Sequence, residues 1–133
     1  MKLHHIGFIS HDISKTFQIF HEIFGAAKIS APFLDKKQQV NEILIDVEGE
    51  VIQLFEPISE ASPAYSFLKK RGEGLHHLCY EVPDIKKAVA EFRNKGVTIL
   101  FEPFDAFEDR KTAFINLFDT GNLLIELVES KKK

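Results

Sequence analysis

The stretch "LHHIGF", Leu3 to Phe8, returns most of a chain later as "LHHLCY", Leu75 to Tyr80. The likeness extends outward in register. Leu3 and Leu75, His5 and His77, Asp12 and Asp84, and Ile13 and Ile85 all stand 72 positions apart, while Gly25 and Gly96 stand 71 apart. A shared offset interrupted by one deletion is the mark of an internal duplication.

Each copy has the same local grammar. Leu3 to Ser10 is a short apolar run ending in the polar cluster Ser10-His11-Asp12, which predicts a strand followed by a helix start with Asp12 as N-cap. Ile13, Phe17, Phe20 and Phe24 then recur at helical spacing, and Gly25 supplies a left-handed stop. The second copy repeats this with Leu75 to Glu81, Pro83-Asp84, the stripe Ile85, Ala88, Val89 and Phe92, and a stop at Gly96. Strands are expected at Asn41 to Val47 and Val51 to Phe55, and again at Thr112 to Phe118 and Leu123 to Val128. Glu48-Gly49-Glu50 and Asp119-Thr120-Gly121-Asn122 serve as their hairpin turns. Weaker strands fall near Ala27 to Phe33 and Val97 to Phe101, so each half is β-α-β-β-β. A short helix from about Pro63 to Lys70 joins the halves, with Gly72 and Gly74 loosening the join. The fold class expected is α+β, a single domain over residues 1–133: module 1 at about 1–58, a linker helix at about 59–73, and module 2 at about 74–130.

Composition narrows the function. A chain of 133 residues with 44% hydrophobic and 28% charged residues suits one globular domain with a real core. A net charge of -3 without a basic stripe argues against nucleic acid as a partner. No apolar run approaches the roughly 20 residues that span a bilayer, and no membrane partner is expected; a soluble, cytoplasmic protein is expected. The lone cysteine, Cys79, has no intramolecular disulfide partner and is expected to be a small buried apolar group.

Strand alternation decides which polar side chains converge, because neighbours point to opposite faces. If Ile6 and Phe8 lie under the first helix, His5 takes the other face, and by the same rule Leu78 and Tyr80 leave His77 open. His4 and His76 point away from both. Ile52 and Leu54 likewise leave Gln53 outward, and Ile125 and Leu127 leave Glu126 outward. Singly, each is an ordinary polar residue of a half-buried sheet. Together, His5, Gln53, His77 and Glu126 occupy repeat-related positions and form a two-imidazole, one-amide, one-carboxylate set suited to zinc, cobalt, nickel or manganese. With Ile43, Ile45 and Val47 inward, Glu42 shares the open face. Alone it defaults to a solvated surface charge, but beside a metal-bound carbonyl it is placed to remove an α-proton.

These residues resemble the vicinal oxygen chelate superfamily, which includes glyoxalases, bleomycin resistance proteins and dioxygenases, and within it the methylmalonyl-CoA epimerases. The resemblance covers nearly the whole chain and is carried by "LHHIGF", "VIQLFEP", "SPAYSFLKKRGEGLHHLCYEVPDI" and "GNLLIELVE". It implies paired βαβββ modules forming a U-shaped cleft around a divalent metal ion, with ligands at His5, Gln53, His77 and Glu126. It further implies Glu42 as catalytic base, Glu126 as the partner for the opposite proton transfer, an acyl-CoA or related carbonyl compound as small-molecule substrate, and a homodimer. One segment departs from the pattern. Where the epimerases carry a glycine-rich loop, this chain has "EPFDAFEDRKTAFINLFD", crowded with Phe104, Phe107 and acids, and Arg110 and Lys111 are its candidates for holding an anionic group.

The leading expectation is a metal-dependent epimerase or isomerase working by 1,1-proton transfer on an acyl thioester. A glyoxalase I-type lyase would use the same ligands but depend on a thiol and a 2-oxoaldehyde. A ring-cleaving dioxygenase prefers two histidines and one carboxylate, which makes Gln53 superfluous. A non-enzymatic drug- or antibiotic-binding protein of this fold would bind its ligand without metal.

Overall fold

The helices begin and end where their caps put them. In a computed structural model that describes residues 1–105, 110–116, 120–121 and 123–131, with backbone alone at 101 and 102, Asp12 accepts from the backbone N–H groups of Ser14 and Lys15. It thereby starts α1 (Ile13–Phe24), and Gly25 at φ 69° ends it in the left-handed conformation. Asp84 accepts from Lys87 N and starts α3 (Ile85–Asn94), after which Gly96 turns at φ 83°. Ser62 and a proline at the first helical position start α2 (Pro63–Arg71). A glutamate at the end of each half's closing strand adds to this: Glu129 accepts from Ile85 N at 3.0 Å, and Glu56 accepts from the Ile13 backbone. Capping contributes about 1 kcal/mol per helix. It sets where a helix starts; packing decides whether it stays.

The chain divides into two compact units, His5–His76 and Met1–His4 with His77–Lys133. The first carries β1 (Lys2–Ile9) from His5 onward, β2 (Ala27–Lys28), β3 (Phe33–Asp35), β4 (Val40–Val47) and β5 (Glu50–Pro57). Its strand order is β2-β4-β5-β1, with β3 also on β4; β1 runs parallel to β5 and β4 antiparallel to it. The hairpin joining β4 to β5 has Glu48 at φ 50° and Gly49 at φ 95°, the two positive φ values of a type I′ turn. On one face Ile43, Ile45 and Leu54 pack with Ile13 and Ala26, joined by Phe8, Phe17, Phe20 and Ile52. On the other, Ile9, Val40 and Phe55 pack with Ala64 and Leu68 of α2. Each such aliphatic side chain contributes about 1.5–3 kcal/mol on burial, so the two apolar layers outweigh the caps.

The second unit repeats the plan with β6 (Gly74–Val82) from His77 onward, β7 (Ile99–Asp105), β8 (Lys111–Ile115) and β9 (Leu124–Glu129). Its order is β6-β9-β8-β7, with β6 parallel to β9 and antiparallel pairing beyond. Ile85 and Val89 of α3 pack on Val82, Ala113, Ile115 and Leu127, with Tyr80, Ala88, Phe92 and Ile125 around them. The fold class is α+β, as expected.

Three expectations need correction. The weak strand near Ala27 to Phe33 is two short strands. Ile29 N and Ser30 N both reach Leu44 O, at 2.8 and 3.3 Å, the Ser30 hydroxyl accepts from Leu44 N at 3.1 Å, and Pro32, lacking an N–H, has no donor for the ladder. Its counterpart is not a short strand near Val97 to Phe101 but β7, which runs to Asp105 with register shifts. Phe24 does not join the inward stripe: it is 56% exposed at the last turn of α1, and Thr16, which shares a 2.6 Å hydrogen bond with Ser10, takes an inward place instead. Phe118, and Asp119 and Asn122 of the second turn, lie outside the described residues.

Candidate active site

In the first unit β4 and β5 bring the Glu42 carboxylate and the Gln53 amide together. Their register pairs Leu44 with Gln53 and Glu42 with Phe55, so Glu42 and Gln53 are diagonal neighbours on the face opposite Ile43, Ile52 and Leu54. Glu42 is only 2% exposed, which overturns its default as a solvated surface charge. Gln53 Nε2 donates to Glu42 Oε2. With the amide turned that way, Gln53 Oε1 is buried and meets no hydrogen-bond donor among the described residues. A buried amide oxygen without a partner costs on the order of 1–3 kcal/mol. Such an atom calls for a ligand. Phe33 and Phe55 sit directly across from Glu42 on its two neighbouring strands, so aromatic residues flank it on both sides in register. β1 pairs Gly7 with Gln53, and His5, two residues earlier on the same face, is buried.

In the second unit β6 and β9 bring the remaining two together. Cys79 pairs with Glu126, and His77 Nε2 lies 3.1 Å from Glu126 Oε1, both residues being buried. Two atoms bound to one ion at about 2.0–2.2 Å, at tetrahedral or octahedral angles, stand about 2.8–3.6 Å apart. The observed spacing matches that of neighbouring ligands. Cys79 is fully buried, and burial first, then the adjacent Glu126 charge, pushes its thiol well up. It remains a packed thiol rather than a nucleophile, as its sequence setting predicts.

The structure does not support Arg110 as a holder of substrate anions. Its guanidinium pairs with Glu81 at 3.2 Å, donates to Glu129 O at 2.8 Å, and meets His4 Nε2 at 3.0 Å. Because a guanidinium only donates, His4 presents an unprotonated Nε2 there. Lys111 forms an exposed pair with Asp105 at 3.3 Å. Phe107 lies outside the described residues. The aromatic neighbours Phe33 and Phe55 escaped the sequence reading because they become neighbours of Glu42 only through strand register.

Known proteins share this architecture. Residues 4–114 match the family described as the Glyoxalase/Bleomycin resistance protein/Dioxygenase superfamily. The ethylmalonyl-CoA/methylmalonyl-CoA epimerase of Cereibacter sphaeroides is 30% identical over 129 residues, spanning 95% of this chain and 96% of that protein. The crystal structure of methylmalonyl-CoA epimerase from Mycobacterium tuberculosis superposes with a TM-score of 0.90 at 29% identity, covering 98% of this chain and 89% of that one. A substituted form of Streptomyces coelicolor methylmalonyl-CoA epimerase in complex with 2-nitronate-propionyl-CoA superposes with a TM-score of 0.89 at 28% identity, covering 99% of each chain. With matches that run through both halves of the duplication, the chain belongs to the glyoxalase/bleomycin resistance protein/dioxygenase superfamily, among its methylmalonyl-CoA epimerases.

Proposed function

We propose that this protein is an acyl-CoA epimerase. It removes the proton α to a thioester carbonyl and returns a proton to the opposite face of the same carbon. His5 and Gln53 from one half and His77 and Glu126 from the other are the ligands of one divalent cation, of the zinc, cobalt, nickel or manganese class. Such a cation, when bound, supplies positive charge next to the thioester oxygen as negative charge builds there. The buried Oε1 of Gln53, which meets no hydrogen-bond donor among the described residues, carries this reading, because a neutral buried oxygen without a donor is what a cation needs and what an apolar core avoids.

Glu42 is the base. Its carboxylate takes the α-proton, and the electron pair of the broken C–H bond moves into the carbonyl. Gln53 Nε2 holds one carboxylate oxygen, which fixes the orientation of the base. Glu126 serves the opposite face. Burial of Glu42 and the rings of Phe33 and Phe55 keep bulk water from the reacting carbon.

The test is α-proton exchange in deuterium oxide across a panel of acyl-CoA thioesters, followed by NMR with and without chelator. A malonyl-type thioester should exchange, chelator should stop the exchange, and one of the four metals should restore it. Absence of exchange with every thioester, alongside tight binding of a flat apolar ligand by metal-free protein, would establish a binding protein instead.

A further inference from the structure

We infer that the stacked rings of Phe104 and Phe114 form the wall on which the α-substituent of the acyl group rests, and that this wall selects an uncharged alkyl substituent. The inference rests on the epimerase reading above and adds its substrate preference.

The register places the wall against the ligand pair. Phe114 of β8 stands directly across from Glu126 of β9, and Phe104 of β7 pairs with Thr112, two residues from Phe114 on the same face. The two rings stack, 6.4 Å between centroids and 19° between planes, and the His77 ring meets Phe114 nearly perpendicular at 6.4 Å. Both phenylalanines are half-buried. A flat apolar surface therefore borders the carboxylate and imidazole on the β8 side.

The chemistry of that surface decides what lies on it. The face of a phenyl ring carries partial negative potential, so a carboxylate set against it is repelled and loses hydration without compensation. The two cations of the β7–β8 hairpin that the sequence offered for an anionic group are engaged elsewhere, Arg110 by Glu81 and the Glu129 carbonyl and Lys111 by Asp105. An alkyl group on the same wall gains by burial, by roughly threefold to fourfold in binding for each methylene covered. A malonyl-type substrate accordingly lies with its alkyl arm on the wall and its carboxylate turned away.

The experiment compares kcat and KM for α-proton exchange of methylmalonyl-, ethylmalonyl- and propylmalonyl-CoA by the intact protein, Phe104→Ala and Phe104→Leu. Phe104→Ala should lower kcat/KM for propylmalonyl-CoA at least tenfold more than for methylmalonyl-CoA, chiefly through KM, and Phe104→Leu should recover most of that difference. If Phe104→Ala lowers kcat/KM by one common factor along the series, the wall is not the subsite and the inference falls while the epimerase reading stands. If the intact protein exchanges none of the three, the epimerase reading itself falls and takes this inference with it. Should Phe104→Ala not fold, the Leu variant decides alone: a loss that grows with alkyl length supports the wall, and a uniform loss overturns it.

Discussion

Replacing Glu42 by Gln separates the base from the scaffold. The amide is nearly isosteric, and its Oε1 still accepts from Gln53 Nε2, so the contact that now orients the carboxylate survives in neutral form. A hydrogen bond to a charged acceptor contributes about 1.5–3 kcal/mol and one between neutral groups about 0.5–1.5, so the weakening is on the order of 1 kcal/mol. Removing a carboxylate that is 2% exposed recovers desolvation free energy of similar size, and the two effects largely cancel. Midpoint temperature should then move by no more than about 4 °C. The rate has no such compensation. An amide does not take a proton at neutral pH, and loss of a positioned general base lowers rates by about 10²–10⁴-fold. The assay is α-proton exchange in deuterium oxide on a malonyl-type thioester, with bound metal measured by elemental analysis on the same sample. Metal content should stay at the level of the unaltered protein while exchange falls by at least about a hundredfold. Exchange within about tenfold of the unaltered protein, with metal in place, would refute the assignment of Glu42 as the base.

Metal removal and pH give two further tests. If His77 is a ligand, chelator should lower the thermal midpoint of the unaltered protein, since a ligand at about a hundred times its Kd stabilises by about 2.7 kcal/mol, and the same treatment should leave His77→Ala unmoved. An equal chelator effect on both proteins would exclude His77 from the ligand set. Glu56 has its carboxyl raised above the ordinary value, by burial first, with the Asp12 charge adding and hydrogen bonds to Ile13 and Asn41 opposing. The folded state therefore holds this proton to higher pH than the unfolded chain does, so its contribution is most favourable in acid and is lost as pH rises through the raised pKa. Glu56→Gln should gain midpoint temperature relative to the unaltered protein as pH goes from 4 to 8, and a difference that grows toward acid instead would show the opposite sign of shift.

Much of this was legible in the sequence, for reasons tied to particular residues. The offset of 72 announced the duplication, and Asp12, Asp84 and Gly25 announced helix ends, because capping is chemistry local to a few residues. Alternation put Glu42 with Gln53 and His77 with Glu126 because a strand has a period of two, and inward Ile43, Leu54, Ile125 and Leu127 leave no other choice of face. What depends on register was not legible. The division at Ser30 to Pro32 turns on Ser30 accepting from Leu44 N, and the engagement of Arg110 turns on meeting Glu81 29 residues away. The flanking of Glu42 by Phe33 and Phe55 depends on their arriving from two different strands.

The orientation of the Gln53 amide restricts what evolution is free to place there. A glutamate would confront Glu42 with like charge across a hydrogen-bond distance, and a leucine would strip the base of its tether. In the proposed ligand set, a neutral residue with a donor at one corner and an oxygen at the other also leaves Glu126 as the single formal negative charge. A doubly charged ion held by that set would retain a net positive charge, directed at whatever oxygen enters beside it.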